Sequence, residues 1–90
     1  MAAINWTRKR FGNDEYLKPG HFVITGDYIG RRSFGKQEAV ALVLVKDGPR
    51  PYHYAQPVAG KWEVFGEFAT LDEAKARAEA DEPALQIILK

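Results

Sequence analysis

Residues Gly30 to Gln37 read GRRSFGKQ, which matches all but the last position of the phosphate-binding pattern G-x-x-x-x-G-K-[ST]. A working loop of this type needs a strand before it, a helix after it whose amide groups receive the phosphates, and a hydroxyl residue for magnesium. Gln37 replaces the hydroxyl residue, and the run AVALVLV that follows Glu38 is typical of a strand. The sequence therefore predicts no nucleotide site at this position.

The stretch is predicted instead to form a long, exposed hairpin loop, in which Gly30 and Gly35 supply backbone freedom. Cations beside an aromatic ring suit phosphate contacts with stacking, or an acidic protein surface. The candidate partner-binding residues of the loop are Arg31, Arg32, Phe34 and Lys36. The alternative is that the three cations only keep the tip of a hairpin soluble.

A second basic segment near the N-terminus repeats this combination of cations and an aromatic residue. It consists of Arg8, Lys9 and Arg10, followed by Phe11. If the fold brings the two segments to one face, they form a single basic patch. We therefore count these three cations among the candidate partner-binding residues.

Other residue types that could do chemistry are sparse and poorly spaced. His21 and His53 fall in different predicted strands and have no partner at metal-ligand spacing, so no metal site is predicted. Ser33 is the single serine and lacks the flanking glycines of a nucleophile elbow. We predict no catalytic residue, no cofactor and no enzymatic activity; a catalytic alternative requires a pocket that joins one of the histidines to an acid.

Composition limits the class of protein. The 90 residues are 46% hydrophobic and 28% charged, which predicts one folded domain over residues 1–90. The chain has no cysteine, so the cytoplasm is the expected location, and no signal peptide is expected at the N-terminus. The longest apolar run, Ala39 to Val45, is far shorter than the roughly 20 residues of a membrane span. No contact with a membrane is predicted.

The balance of charge argues against a dedicated nucleic-acid-binding domain. The net charge is +1, although residues 1–50 hold nine Lys and Arg against five acids and residues 51–90 hold four against seven. Domains that bind nucleic acid are usually much more basic, because each phosphate contact needs its own cation.

Hydrophobic periodicity predicts a mixed fold. The predicted strands are His21–Ile29, Glu38–Lys46, Tyr52–Val58, Lys61–Phe68 and Ala84–Leu89, and the predicted helix is Leu71–Ala80. Thr70 and Glu73 form a capping box at the start of the helix, which buries an alanine stripe. The sequence predicts an α+β fold, a mostly antiparallel sheet of four to five strands with one helix of the C-terminal half packed on it, in the order β-β-β-β-α-β.

Alternation also predicts the two faces of the strand Lys61–Phe68. Trp62, Val64 and Phe68 are expected on one face, and Phe65 on the other. A second element is expected to cover Phe65; the alternative is an exposed aromatic patch that binds a partner.

The arrangement Trp-x-Val-x-Gly-x-Phe-x-Thr-Leu-x-Glu-Ala-Lys-x-x-Ala-Glu, from Trp62 to Glu79, resembles small proteins encoded by phages and prophages. With the upstream segment Tyr16–Ile24, it resembles short sheet-plus-helix domains of unassigned function. The resemblance implies a mobile-element setting, in which such proteins bind and block host machinery, including CRISPR effector complexes. It carries no catalytic residues.

The leading hypothesis is a small non-enzymatic protein that binds a host protein or ribonucleoprotein complex and blocks or modulates it, as an anti-CRISPR or other anti-defence inhibitor does. The alternative is an accessory protein that binds nucleic acid, with its basic loop on the phosphates.

Overall fold

The structure, a computed structural model, describes residues 4–12, 15–17, 21–85 and 87–88. The strands are β1 (Asn5–Arg8), β2 (Glu15–Leu17), β3 (His21–Val23), β4 (Tyr28–Phe34), β5 (Gln37–Val45), β6 (Tyr52–Val58), β7 (Lys61–Phe68) and β8 (Ile87–Ile88). The helix α1 (Leu71–Ala80) follows β7, and a short 3-10 turn (Glu82–Ala84) precedes β8.

The main sheet is antiparallel and has the order β1-β4-β5-β6-β7, and β8 pairs with β5 at Glu38 and Ala39. Strands β2 and β3 form a separate hairpin. The predicted α+β class, with an antiparallel sheet and one helix in the C-terminal half, is confirmed. The predicted order is confirmed only in part, because β1 and β2 were not expected and β8 is a two-residue strand.

Strand β5 lies at the centre of the sheet and is buried on both faces. Its residues Ala39 to Leu44 are each 7% exposed or less, as expected from an alanine-, valine- and leucine-rich run. Val40 and Leu42 pack on one face with Val23 and Trp62. The cluster on the other face contains Ile4, Ala39, Ala41, Tyr54, Ala78 and Leu85. The predicted central strand is confirmed within one residue.

Helix α1 covers the second of these faces. Thr70 caps it, because the Thr70 hydroxyl accepts a hydrogen bond of 3.3 Å from the amide of Glu73. Ala74 and Ala78 are fully buried. Their small side chains let the helix axis lie close to the sheet. The predicted helix, its Thr70 cap and its alanine stripe are confirmed. The Glu73 carboxylate accepts a hydrogen bond of 3.0 Å from the Thr70 hydroxyl, whereas the predicted capping box has it accept from the Thr70 amide.

The predicted strand His21–Ile29 is wrong at its centre, where a turn separates β3 from β4. The carboxylate of Asp27, only 2% exposed, accepts hydrogen bonds from the amides of Ile24 (3.2 Å) and Val45 (3.0 Å). Gly26 has a φ of +102°, a left-handed conformation that glycine adopts without strain. The buried carboxylate stabilises a turn in place of a pleat, and it ties that turn to the end of β5.

The predicted loop over Gly30–Gln37 is also wrong. Strand β4 continues to Phe34 and pairs with β5, so the hairpin turn is limited to Gly35 and Lys36. Gly35 has a φ of +62°, as a tight hairpin requires. Lys36 is followed directly by strand β5, as predicted, and not by the helix that a phosphate-binding loop of this type requires.

Gly30 has a different role from Gly35, because it lies within β4 opposite Trp6 of β1. A Cβ atom at Gly30 would lie 2.7 Å from Cγ2 of Ile4 and 2.8 Å from Cζ3 of Trp6. The missing side chain therefore allows β1 to lay Trp6 across β4.

Strand β7 does not keep the predicted alternation. A register shift between Tyr54 and Ala55 in the pairing of β6 with β7 moves Phe68 to the helix side of the sheet, together with Phe65. Trp62 packs against the opposite cluster. Phe65 is half-buried and makes an edge-to-face contact with Tyr54, with ring centroids 5.9 Å apart. The helix side therefore covers Phe65, and the predicted face of Phe68 is wrong because of the bulge.

We expect Gly30→Ala to lower the free energy of unfolding by about 1–3 kcal/mol, because the added methyl group overlaps Ile4 and Trp6. Urea denaturation measures this change. Ser33→Ala, at an exposed position of the same strand, is the matched control and should change stability by less than about 0.5 kcal/mol. Equal stabilities for the two variants would contradict the close approach of β1 to β4.

Candidate binding surface

The arginines of the expected loop form ion pairs within the protein. In β4, Nη1 of Arg31 lies 2.8 Å from Oε1 of Glu38. Nη1 of Arg32 lies 3.2 Å from Oε1 of Glu82, a residue 50 positions away in the sequence. All four side chains are at least three-quarters buried. Arg31 and Arg32 therefore link β4 to β5 and to the end of the helical segment, and they do not project from a flexible tip.

The two predicted basic segments lie at opposite ends of β4. Arg8 lies opposite Tyr28, at the start of β4, whereas Lys36 lies in the exposed turn beyond its end. The six steps from Tyr28 to Phe34 correspond to about 20 Å of strand. The structure therefore does not bring the segments into one patch. The side chain of Phe34, the fourth candidate of the loop, lies outside the described residues.

The remaining candidates lie where β1 meets the turn between β3 and β4. The amide of Lys9 donates to the carbonyl oxygen of Asp27, and the amide of Gly26 donates to the carbonyl oxygen of Lys9, each at 2.9 Å. Arg10 is exposed just beyond this contact. The backbone of the N-terminal basic segment is thus fixed against the fold.

Two cations and two aromatic rings form a cluster where β1, β4 and α1 meet. Cζ of Arg8 lies 5.6 Å from the centroid of the Tyr28 ring. Nζ of Lys75 lies 5.7 Å from the same centroid and 5.9 Å from that of Trp6. Arg8 is exposed and the other three residues are half-buried. We call Trp6, Arg8, Tyr28 and Lys75 the cation–aromatic surface.

The cations of this surface have no acidic partner among the described residues. Within the described residues, no carboxylate lies within ion-pair distance of Arg8 or Lys75, whereas Arg31, Arg32 and Arg77 are each paired. Aromatic faces attract cations without neutralising them, and they limit the positions that long side chains sample. The surface therefore presents two oriented positive charges to solvent.

Sequence reasoning identified Arg8 but missed Trp6, Tyr28 and Lys75. The sequence signal for β1 is weak, because the strand has only four residues and Trp6 and Arg8 are the two that share a face. Lys75 lies beside the alanine stripe of α1, and nothing local shows that its side chain reaches β1 and β4.

The histidines and the acids do not cluster as metal ligands in the described part of the chain. Nε2 of His53 lies 3.1 Å from the carbonyl oxygen of Arg50, and the side chain of His21 lies outside the described residues. Ser33 is exposed on β4. No three acidic or histidine side chains converge as metal ligands among the residues described.

A buried polar network joins α1 to β6 and is the other cluster of functional groups. The fully buried Tyr54 donates its hydroxyl to Oδ2 of Asp81 at 3.2 Å and accepts from the side-chain amide of Gln56. Nε of Arg77 donates to the same Asp81 oxygen at 3.0 Å. Burial raises the pKa of Tyr54 from 10.0 to about 12, and the charge of Asp81 adds to this effect. The network is structural, because it holds the end of α1 on the sheet.

If Arg32 and Glu82 are a structural ion pair, their contributions to stability are coupled. We expect Arg32→Gln and Glu82→Gln each to lower the free energy of unfolding, and the double variant to cost less than the sum by about 1 kcal/mol. A double-mutant cycle in urea measures this coupling. Lys36→Gln, at an exposed position, serves as the control and should be neutral. Strict additivity at Arg32 and Glu82 would contradict the pairing.

The raised pKa of Tyr54 predicts alkaline sensitivity. The neutral phenol stabilises the fold fully below about pH 10, and this contribution is lost as the pH rises from about 10 to about 12. The free energy of unfolding should fall in this window by at most about 1.4 kcal/mol per pH unit from this group. Urea denaturation at each pH should show that Tyr54→Phe removes this slope and Tyr52→Phe keeps it. An unchanged slope in Tyr54→Phe would exclude Tyr54 as its source.

No protein-family model, curated protein or solved structure matches this chain. No helix in the described residues has the length and apolarity that a membrane span requires. The resemblance of Trp62–Glu79 to phage and prophage proteins stays a prediction.

Proposed function

We propose that this protein is a small, non-enzymatic binding protein that holds a negatively charged partner against the cation–aromatic surface. The observation that carries the proposal is that Arg8 and Lys75 are oriented by the Trp6 and Tyr28 rings and have no carboxylate partner among the described residues. A partner that supplies carboxylates completes these contacts, since an arginine or lysine at an interface gains most from a charged acceptor.

A protein partner fits better than a nucleic acid. The net charge is only +1, and Arg31, Arg32 and Arg77 are already paired with acids of the same chain. A nucleic acid strand needs a row of cations along its phosphates, whereas two neighbouring cations match one or two carboxylates. The Tyr28 ring also has two cations within 6 Å, so its faces are less available for a base to stack on.

The resemblance of Trp62–Glu79 extends this proposal to a biological setting. In that setting the partner is a host protein or ribonucleoprotein complex, and binding blocks or modulates it, as an anti-defence or anti-CRISPR inhibitor does. The loop residues Arg31, Arg32, Phe34 and Lys36 are not the basis of the proposal, because the two arginines are paired internally. The surface residue Arg8 and the adjacent Lys9 and Arg10 remain in it.

The proposal is tested with poly-L-glutamate as a defined polyanion and two double variants of equal net charge. Arg8→Gln with Lys75→Gln should weaken binding by about tenfold, since two charge contacts at the protein surface contribute about 1.4 kcal/mol together. Lys36→Gln with Lys61→Gln removes two exposed cations that are not part of the surface, and it should change affinity by less than about twofold.

Intrinsic tryptophan fluorescence and isothermal titration calorimetry measure the affinities at several salt concentrations. Equal weakening by the two double variants would show that binding follows net charge alone and would overturn the proposal. Tighter binding of a single-stranded oligonucleotide, with a steep dependence on salt, would favour the nucleic-acid alternative over a protein partner.

A further inference from the structure

Among the described residues, strand β1 leaves a row of backbone groups unpaired along the outer edge of the main sheet. Along a strand of an antiparallel pair, the backbone amide and carbonyl groups of successive residues point alternately toward the partner strand and away from it. The amide of Lys9 donates to the carbonyl oxygen of Asp27, which sets the phase of this alternation. Asn5 and Thr7 therefore bond to β4, and the amide and carbonyl groups of Trp6 and Arg8 point outward. No described strand pairs with this edge.

The two edges of the main sheet differ in how well they resist the addition of another strand. At the β7 edge, the register shift beside Phe65 interrupts the ladder, and the exposed charges Lys61, Glu63 and Glu67 have both signs. Bulges and mixed charges of this kind discourage edge pairing. The register of β1 with β4 is unbroken, and Arg8 is the charged residue of this strand. The β1 edge is therefore the receptive one.

We propose that the outer edge of β1 binds an extended acidic segment of the partner protein as an added strand. This inference rests on the proposed function. It specifies the conformation and the charge pattern of the partner segment that the cation–aromatic surface binds. Addition of a strand to a sheet edge combines backbone hydrogen bonds, which give affinity, with alternate side chains, which give specificity.

The geometry of the sheet sets the charge pattern of the segment. Its backbone pairs with the outward groups of Trp6 and Arg8, forming up to four hydrogen bonds. Side chains directly opposite each other in a sheet lie on the same face. Residues opposite Trp6 and Arg8 therefore lie on the side of Tyr28 and Lys75, where carboxylates at alternate positions reach both cations. The residue between them lies beside the exposed Thr7 and is best polar or β-branched.

A second copy of this chain is a poorer occupant of the same edge. Antiparallel pairing of two β1 strands about Thr7 places Arg8 of each copy opposite Trp6 of the other. Lys75 already lies 5.9 Å from the Trp6 ring in each protomer. Four cations would then meet without a described carboxylate among them, and repulsion between like charges opposes this arrangement. The charge of the surface therefore favours an acidic segment.

The probe is a capped, fluorescein-labelled seven-residue peptide of alternating threonine and glutamate. Fluorescence anisotropy measures its binding to the protein. When the glutamate side chains face Arg8 and Lys75, the backbone amides of the glutamates donate hydrogen bonds to β1. N-methylation of the glutamate amides should weaken binding by about tenfold or more. N-methylation of the threonine amides, which point away from β1, should leave affinity within about twofold and is the matched control with the same charge and a similar mass.

Amide hydrogen exchange locates the added strand directly. Binding of the unmethylated peptide should slow exchange at the amides of Trp6 and Arg8, while the Thr7 amide, already bonded to β4, should change little. Replacing the glutamates by lysine should abolish binding to the natural chain, and Arg8→Glu with Lys75→Glu should restore binding of this lysine peptide. Together these results would support strand addition with carboxylates on the helix side.

Three outcomes would overturn the inference. Equal affinities for the two N-methylated peptides would exclude backbone pairing; if Arg8→Gln with Lys75→Gln still weakens binding of poly-L-glutamate selectively, the proposed function survives this failure. Protection of β7 amides in place of Trp6 and Arg8 would exclude the β1 edge. Absence of binding at peptide concentrations up to about 1 mM would also exclude the segment, because even so short a strand should bind with a dissociation constant below this value.

Discussion

The structure depends on one constraint, the burial of strand β5 on both of its faces. Ala39 to Leu44 are six successive residues with almost no exposure, so both faces of the sheet need a cover. On one face the cover is α1, whose alanines sit directly over the sheet. On the other face, Val23 of the β2–β3 hairpin and Trp62 join the cluster. Because α1 follows β7 and crosses back over the sheet, Lys75 reaches β1 and β4.

The same constraint determines the use of the two glycines in GRRSFGKQ. A strand buried on both sides needs neighbours along its length, so β4 runs beside β5 through Arg31 and Arg32 and turns only at Gly35. Gly30 then allows β1 to approach closely enough for Ile4 and Trp6 to cover β4. Gly35 supplies a left-handed turn, and Gly30 supplies the space that β1 needs. Their P-loop-like spacing follows from these two structural requirements, and no phosphate is needed to explain it.

Local sequence predicted the elements whose signals are contained within them. The boundaries of β6, β7 and α1, the Thr70 cap and the buried character of β5 follow from periodicity, turn residues and propensity. The failures involve partners that are distant in the sequence. Arg32 in β4 is paired with Glu82, Asp27 forms a turn because it bonds to Val45, and Phe68 changes face because β6 and β7 slip by one residue. A pattern read along one strand contains none of this information.

The candidate surface shows why net charge is a poor guide to binding in this chain. Of the six cations that we selected from sequence, Arg31 and Arg32 are neutralised by carboxylates that the fold brings to them. Arg8 keeps its charge available, because its contact in the described structure is an aromatic ring, and Lys75 joins it from the helix. A chain with a net charge of only +1 thus acquires a local positive site, since Glu38, Glu82 and Asp81 pair with arginines outside it. The placement of β1 at the edge sets these charges beside unpaired backbone groups, so the same strand contributes both electrostatic attraction and directional hydrogen bonding.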